Sequence, residues 1–521
     1  VNVRIRRLGV AFLVLYSIVF VQLNNVQVFG AKRLQESPVN NRVVTRDYGR
    51  ARGPIVTADD VLIAESVLVE GTDDTYRRVY PTGDLFAHVT GYVSLALGSD
   101  GVERVYNDEL AGRDTRLRFR DLADLFVDRD TTGTVRVTLR NDLQTVARDQ
   151  LAGRRGSVVA IDPRTGAVLA MYSNPTYDPT PLAATDGAVA EAAAKLLDAD
   201  PTKPRLARSY REVFFPGSTF KVVTAAAGLE SGRVTADDPV YPVTDSYTPP
   251  LTNSAIFNFG RTRCGGTLFS IMQVSCNSAF AQMGAEHVGA EAMIERAKAF
   301  GFNDIPPFDL PNAAASKFPQ DFGKRLQTID SFYAAREGRP PATAPQPPAT
   351  TRSPVFVVED TPRLAQASIG QNDVAATPLQ MAMVAAAVAN EGVVMKPHVL
   401  REILDSDGMR VRSAPNEPWR RAMSPETAQL VRDTMQGVVE GGTASSMAIP
   451  GLVIGGKTGT AQLGTDQPSS HAWIIGFGGR PGAPAEIAVA VIVEAQPGAS
   501  EQTGGRVAAP IARAVMETAL G

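Results

Sequence analysis

The chain has 521 residues, 44% apolar and 21% charged, which fits a folded protein of two or three domains and excludes a disordered one. A net charge of −3 lacks the basic footprint of a nucleic-acid binder, so no nucleic-acid partner is expected. Two cysteines and four scattered histidines, none in an H-x-x-x-H pair, offer no zinc or iron–sulfur spacing, and neither a metal nor a cofactor is expected.

At the start, Arg4, Arg6 and Arg7 precede an apolar run from Leu8 to Val21, and no further charge comes until Lys32. The uncharged stretch is long enough to cross about 30 Å of hydrocarbon. Residues 1–31 therefore read as a cytoplasmic tail and single transmembrane anchor, with residues 8–29 in the membrane. Positive charge before the span predicts the N-terminus inside and the remainder outside the plasma membrane. A cleaved signal peptide, cut near Val28-Phe29-Gly30, is the competing reading; both export the chain.

Residues 32–133 read as a small non-catalytic module, α/β or mainly β. It holds the β-like run Val61–Val69 and the turn-rich segments Gly71–Asp74 and Leu97–Gly101. From Thr134 to the end, residues 134–521 form a second domain. Val135–Leu139 alternates as a strand, and Asn141–Leu151 reads as a helix with Asn141 or Asp142 near its N-cap. Gly156–Ile161 and Ala167–Tyr172 flank the turn Asp162-Pro163-Arg164-Thr165-Gly166 as a hairpin. Helices are expected at Gly187–Asp198, Ser218–Leu229, Leu268–Met283, Ala290–Phe300 and Ala508–Leu520, and strands at Leu452–Gly456, Ala472–Gly478 and Ile487–Val493. A Pro/Ala-rich insertion near 337–354 reads as an exposed loop. The fold class is α/β (α+β): a mainly antiparallel sheet flanked by helices.

Three elements carry chemistry. In Phe215-Pro216-Gly217-Ser218-Thr219-Phe220-Lys221, Pro-Gly breaks the chain and a helix begins, placing Ser218 in its first turn and Lys221 one turn on, on the same face. A serine hydroxyl needs a neighbour to take its proton, and a lysine whose pKa is lowered can do so. Taken alone, S-x-x-K also describes a capping serine with a solvated lysine. Ser275-Cys276-Asn277 adds a hydroxyl and an amide two residues apart. Lys457-Thr458-Gly459-Thr460 follows an apolar strand and reads as an edge strand facing a cleft, with glycine allowing close backbone approach. S-x-x-K, Ser-x-Asn and K-T-G, once each and in that order, make the motif set of penicillin-recognising serine enzymes. In an oxidising exterior Cys264 and Cys276 can form a disulfide that pins the loop into the second motif; it requires Cα atoms within about 7 Å. The alternative is two buried thiols.

The sequence resembles the monofunctional class B penicillin-binding proteins, in particular short actinobacterial members without C-terminal repeats. Beyond the three motifs, the resemblance rests on Arg52-Gly53-Pro54-Ile55, Gly101-Val102-Glu103, Asn174-Pro175-Thr176-Tyr177-Asp178-Pro179, Ser368-Ile369-Gly370-Gln371 and Gly442-Thr443-Ala444. It implies the penicillin-recognising serine transpeptidase fold and a D,D-transpeptidase. Ser218 would be the acylated nucleophile and Lys221 its base, with the backbone N–H groups of Ser218 and Thr460 as an oxyanion hole. Ser275 and Lys457 would relay a proton to the leaving amine. Asn277 would orient the donor peptide, and Thr458 and Thr460 would grip its carboxylate. Peptidoglycan stem peptides would be the substrates, β-lactams covalent inhibitors, and a glycan polymerase with other division or elongation proteins the partners. A D,D-carboxypeptidase, a β-lactamase or β-lactam sensor on the same fold, and a septal scaffold without activity are the alternatives. Trp473 reads as a core residue or a wall of the acyl pocket, and Arg52 and Glu103 as structural partners.

Overall fold

The structure is a computed structural model that describes residues 2–26, 50–71, 76–118, 130–339, 354–462, 470–495 and 502–521. The expected cleavage site at 28–30, most of the turn at 71–74 and nearly all of the 337–354 insertion lie outside the described residues.

Helix α1 (Asn2–Asn24) carries Arg4, Arg6 and Arg7 near its start and is mainly apolar beyond them, with a mean hydropathy of 1.7 over 18 of its residues. At 1.5 Å per residue it is about 35 Å long, and it fits a single-pass membrane anchor by length and composition.

The first sheet contains β1 (Ile55–Val56), β2 (Leu62–Leu68), β3 (Tyr76–Val79) and β4 (Thr134–Val137). Two strands from far along the chain complete it. Next to it, Glu103 is fully buried between two arginines: Arg52 Nη2 lies 3.0 Å and Arg78 Nε 2.5 Å from its carboxylate oxygens. These are contacts within the N-terminal module, so Arg52 and Glu103 are structural.

Helix α2 (Asn141–Leu151) forms where expected, but its N-cap position is Arg140, which makes no capping bond. The Asn141 N–H donates instead to the Asp59 carboxylate, at 2.9 and 3.1 Å. Asp142 Oδ1 accepts from the Leu143 N–H at 2.7 Å, so a local residue and one 82 positions away share the capping of this end.

Strands β5 (Gly156–Ile161) and β6 (Val168–Asn174) form the expected hairpin. Helix α3 (Lys221–Glu230) follows a 3-10 turn at Gly217–Phe220. The single helix expected over Leu268–Met283 is broken into α4 (Leu268–Gln273) and α5 (Asn277–Gln282). The cause is a left-handed residue: Ser275 has φ +60°, its N–H donates to Met272 O, and the Cys276 N–H reaches back to Ile271 O. That is a Schellman-type helix end with serine where glycine is usual, at about 1–2 kcal/mol of conformational strain.

Helix α6 (Pro378–Ala389) begins with Pro378 behind Thr377, whose hydroxyl caps the Gln380 N–H, and all twelve of its residues are buried. Strands β7 (Leu400–Leu404) and β8 (Arg410–Ser413) return to the first sheet, whose order is β8-β7-β4-β1-β2-β3, with only β1–β4 parallel. The expected boundary after Gly133 therefore falls inside a continuous sheet.

Helix α7 (Pro425–Gly441) leads to β9 (Val453–Gln462), β10 (Ser470–Gly479), β11 (Ile487–Val493) and the closing helix α8 (Ala509–Leu520). The second sheet, order β9-β10-β11-β5-β6, is antiparallel throughout. Its central strand β11, Ile-Ala-Val-Ala-Val-Ile-Val, is buried at all seven positions, as a strand covered on both faces must be. Helix α6 packs on β5, β10 and β11, while α8 packs on β10, β11 and α2. Each fully buried valine or isoleucine there contributes about 1.5–3 kcal/mol. The K-T-G motif lies on β9, an edge strand of this sheet whose residues 454–459 are buried.

Candidate active site

Three segments far apart in sequence converge where β9 meets the 3-10 turn. Gly217 has φ +53°, which only glycine takes without strain, and a Cβ on it would lie 2.9 Å from the Thr460 carbonyl. A Cβ on Gly459 would lie 2.9 Å from the Pro216 carbonyl and from side-chain atoms of Thr219 and Trp473. The glycine of K-T-G is thus required by the protein's own packing: it lets the Ser218 turn sit directly on the strand. Behind that turn, the Gly217 N–H donates to Gly370 O at 2.9 Å, so Ser368-Ile369-Gly370 supports it from the far side. In a 3-10 turn residues three apart eclipse one another, which aligns Ser218 with Lys221 more closely than an α-helix would.

Lys221 is fully buried and its amine makes three contacts on the second motif: Ser275 O at 2.7 Å, Asn277 Oδ1 at 2.6 Å and Ser275 Oγ at 3.2 Å. Lys457, also fully buried, reaches the same Ser275 hydroxyl at 2.8 Å and the Thr458 carbonyl at 3.0 Å. The strained φ of Ser275 is what turns its hydroxyl between the two amines. Asn277 is itself oriented, because its Nδ2 donates to the Phe257 carbonyl at 3.0 Å and leaves Oδ1 to face Lys221.

Burial disfavours the ammonium form of both lysines. It lowers Lys221 well below the ordinary lysine range, and the neighbouring Lys457 lowers it further. Lys457 is brought down to about 7 by burial. A neutral Lys221 has two protons and one lone pair. The two protons match Ser275 O and Asn277 Oδ1, and the lone pair is left to accept from a hydroxyl. Ser218 is half-buried, and among the described residues no group hydrogen-bonds its hydroxyl.

The structure thus brings Lys221, Ser275, Asn277 and Lys457 into one hydrogen-bonded group, with Ser218, Thr458, Gly459 and Thr460 beside it. Cys264 and Cys276 are joined by a disulfide, with Cα atoms 5.8 Å apart, just behind the second motif. Trp473 is fully buried, edge-on to Phe214 at 6.3 Å, and belongs to the core. Three contributors carry no role in the sequence reading. Phe257 acts through its backbone carbonyl, which no motif can mark. Asn258 accepts from the Ser278 N–H at 2.8 Å and donates to Thr244 O and Thr262 O, fixing the start of α5. Thr443 places its hydroxyl 2.6 Å from that of Thr458; the signal for it was Gly442-Thr443-Ala444 lying just ahead of K-T-G.

Comparison with known proteins points the same way. Residues 156–517 match the family described as the penicillin binding protein transpeptidase domain, and residues 52–135 the one described as the penicillin binding protein A dimerisation domain. The chain is 39% identical, over 534 aligned positions, to the peptidoglycan D,D-transpeptidase PbpA of Mycolicibacterium smegmatis, covering 100% of this chain and 99% of that one. The protein of the same name from Mycobacterium tuberculosis is 36% identical over 533 positions, with the same coverage. Among solved structures, the penicillin G acyl-enzyme complex of penicillin-binding protein A from M. tuberculosis has a TM-score of 0.74 at 35% identity, covering 91% of this chain and 100% of that one.

Proposed function

The chain belongs to the penicillin-binding protein transpeptidase family, and from that premise we propose that it is a serine-type peptidoglycan D,D-transpeptidase acylated on Ser218. The observation that carries this reading is the Ser275 hydroxyl held between two buried amines, 3.2 Å from Lys221 and 2.8 Å from Lys457. A buried neutral amine is a competent base, and a pair of them around one hydroxyl is a proton path with no histidine.

The steps follow from the placement. Ser218 attacks the carbonyl of the D-Ala-D-Ala peptide bond as the Lys221 lone pair takes its proton. The tetrahedral oxyanion rests on the N–H groups of Ser218 and Thr460, one on the turn and one on the edge strand packed against it. The proton passes from Lys221 through the Ser275 hydroxyl, next to Lys457, to the departing D-alanine amine. Asn277 holds the donor peptide's backbone, and Thr458 and Thr460 hold its terminal carboxylate. A stem-peptide amine then takes the acyl group, forming a crosslink. A β-lactam stops at the acyl stage because its leaving group stays attached.

Residues 1–31 place the chain in the plasma membrane as a cytoplasmic tail and anchor, with 32–133 as a pedestal and 134–521 as the catalytic domain outside. The three arginines before the span support that orientation. The glycan strands it crosslinks come from a separate glycan polymerase, working with division or elongation proteins.

Intact mass after incubation with penicillin G tests the central step. Wild type is expected to gain one penicillin G mass, mapped by peptide digestion to Ser218, and Ser218→Ala to gain none. An adduct on Ser218→Ala, or none on wild type, would sink the assignment.

A further inference from the structure

We infer that Thr443, outside the three motifs, is a positioning residue that turns the Thr458 hydroxyl towards the terminal carboxylate of the acyl donor. The inference rests on the proposed role of Thr458 in gripping that carboxylate.

The two hydroxyl oxygens are 2.6 Å apart, so one proton lies between them. Two hydroxyls carry two protons, and one is left for a ligand. A carboxylate can only accept. For Thr458 to donate to it, the Thr458 oxygen must accept from Thr443, and the chain then runs Thr443 to Thr458 to carboxylate. Hydrogen bonds aligned this way polarise one another, and a charged acceptor roughly doubles the strength of the last one.

The backbone holds Thr443 at this spot. Its N–H donates to the carbonyl of Gln273, the last residue of α4, at 3.2 Å. On its other side Gly505 approaches so closely that a Cβ there would be 2.3 Å from the Thr443 carbonyl. Thr443 is therefore gripped between the helix that ends at the second motif and the segment opening the final helices. Although the residue is solvent-exposed, its hydroxyl is paired with that of the largely buried Thr458. A surface threonine with no other task would be solvated.

The test uses the full chain in detergent, with penicillin G and its methyl ester as probes. Rapid-mixing kinetics separate the dissociation constant of the pre-acylation complex from the acylation rate constant. For Thr443→Val, penicillin G should lose about tenfold in acylation efficiency, carried in the dissociation constant, while the ester changes less than about twofold. Thr443→Ser should restore wild-type behaviour. Equal losses on acid and ester, or no loss on either, would overturn the inference. Thr458→Val calibrates the premise. If it separates acid from ester and Thr443→Val does not, only the inference falls. If Thr458→Val fails to separate them, the carboxylate grip is wrong and the inference falls with it.

Discussion

The N-terminal module and the cleft both bury cationic side chains, and they treat the charge in opposite ways. In the module, Arg52 and Arg78 converge on Glu103, with side-chain exposures of 8%, 2% and 0%. Arg52 also donates to Asn107 Oδ1 at 2.9 Å. Burial alone would push the Glu103 carboxyl up, but Arg78 and then Arg52 more than offset it and hold it below the usual range. In the cleft, Lys221 and Lys457 are equally buried, yet among the described residues neither has a carboxylate partner. Burial without a counter-ion neutralises a lysine and gives it a lone pair. An arginine cannot lose its proton in a protein, so the same burial forces it to be paired. The residue type at each place decides whether buried positive charge locks structure or supplies a base.

The comparison breaks hardest at Lys221. Replacing it with methionine should lower the rate of acylation by penicillin G about 10³-fold, the usual worth of a general base. Its effect on stability should be secondary and should depend on pH. Removing the amine leaves Ser275 O and Asn277 Oδ1 short of a donor, but it also removes a group that must give up its proton on folding, a cost that falls as pH rises. Glu103→Gln should do the reverse. It keeps the shape and strands two buried guanidinium groups, at about 3–5 kcal/mol of stability read from urea unfolding. The molecules that remain folded should acylate at the wild-type rate. If Glu103→Gln slowed acylation as Lys221→Met does, the two regions would not be separate in function.

Legibility in the sequence follows the range of the interactions. Strands β5 and β11 could be read because unbroken apolar runs such as Ile487–Val493 dictate burial on both faces locally. The three motifs could be read because each carries its own residue types. What failed was set by distant partners or by unusual local conformations. The break inside Leu268–Met283 hinges on Ser275 taking a left-handed conformation that sequence signals normally assign to glycine. Part of the cap of α2 comes from Asp59, 82 positions before Asn141. The first sheet pairs Ile55 with Val135 and Val135 with Ile403, a register no local pattern encodes. Within the site, the residue types were legible, but their links were not. Lys221 and Ser275 are 54 positions apart, and Lys457 and Ser275 are 182 apart.

The smallest effect is also the one that measures the contrast directly, through protons. In the folded chain Lys457 titrates at about 7, whereas an unfolded lysine titrates near 10.4. Between about pH 7.5 and 9.5 the unfolded chain therefore binds a proton at this position that the folded chain does not. Stability must rise with pH across that window, by up to about 1.4 kcal/mol per pH unit for each such lysine, and it is lost again as pH falls towards 7. Lys221, also lowered well below the ordinary lysine range by burial and by Lys457, adds a second contribution of the same sign. Lys457→Met should flatten the dependence of the urea-unfolding free energy on pH by about one lysine's share, and so should Lys221→Met. Glu103→Gln should lower the whole curve and leave its slope over this window unchanged, because Glu103 is ionised in both states there. Parallel slopes for wild type and Lys457→Met would mean that the amine keeps its proton in the fold. Lys457 would then be a buried charge like the arginines of the module, and it could not take a proton from Ser275.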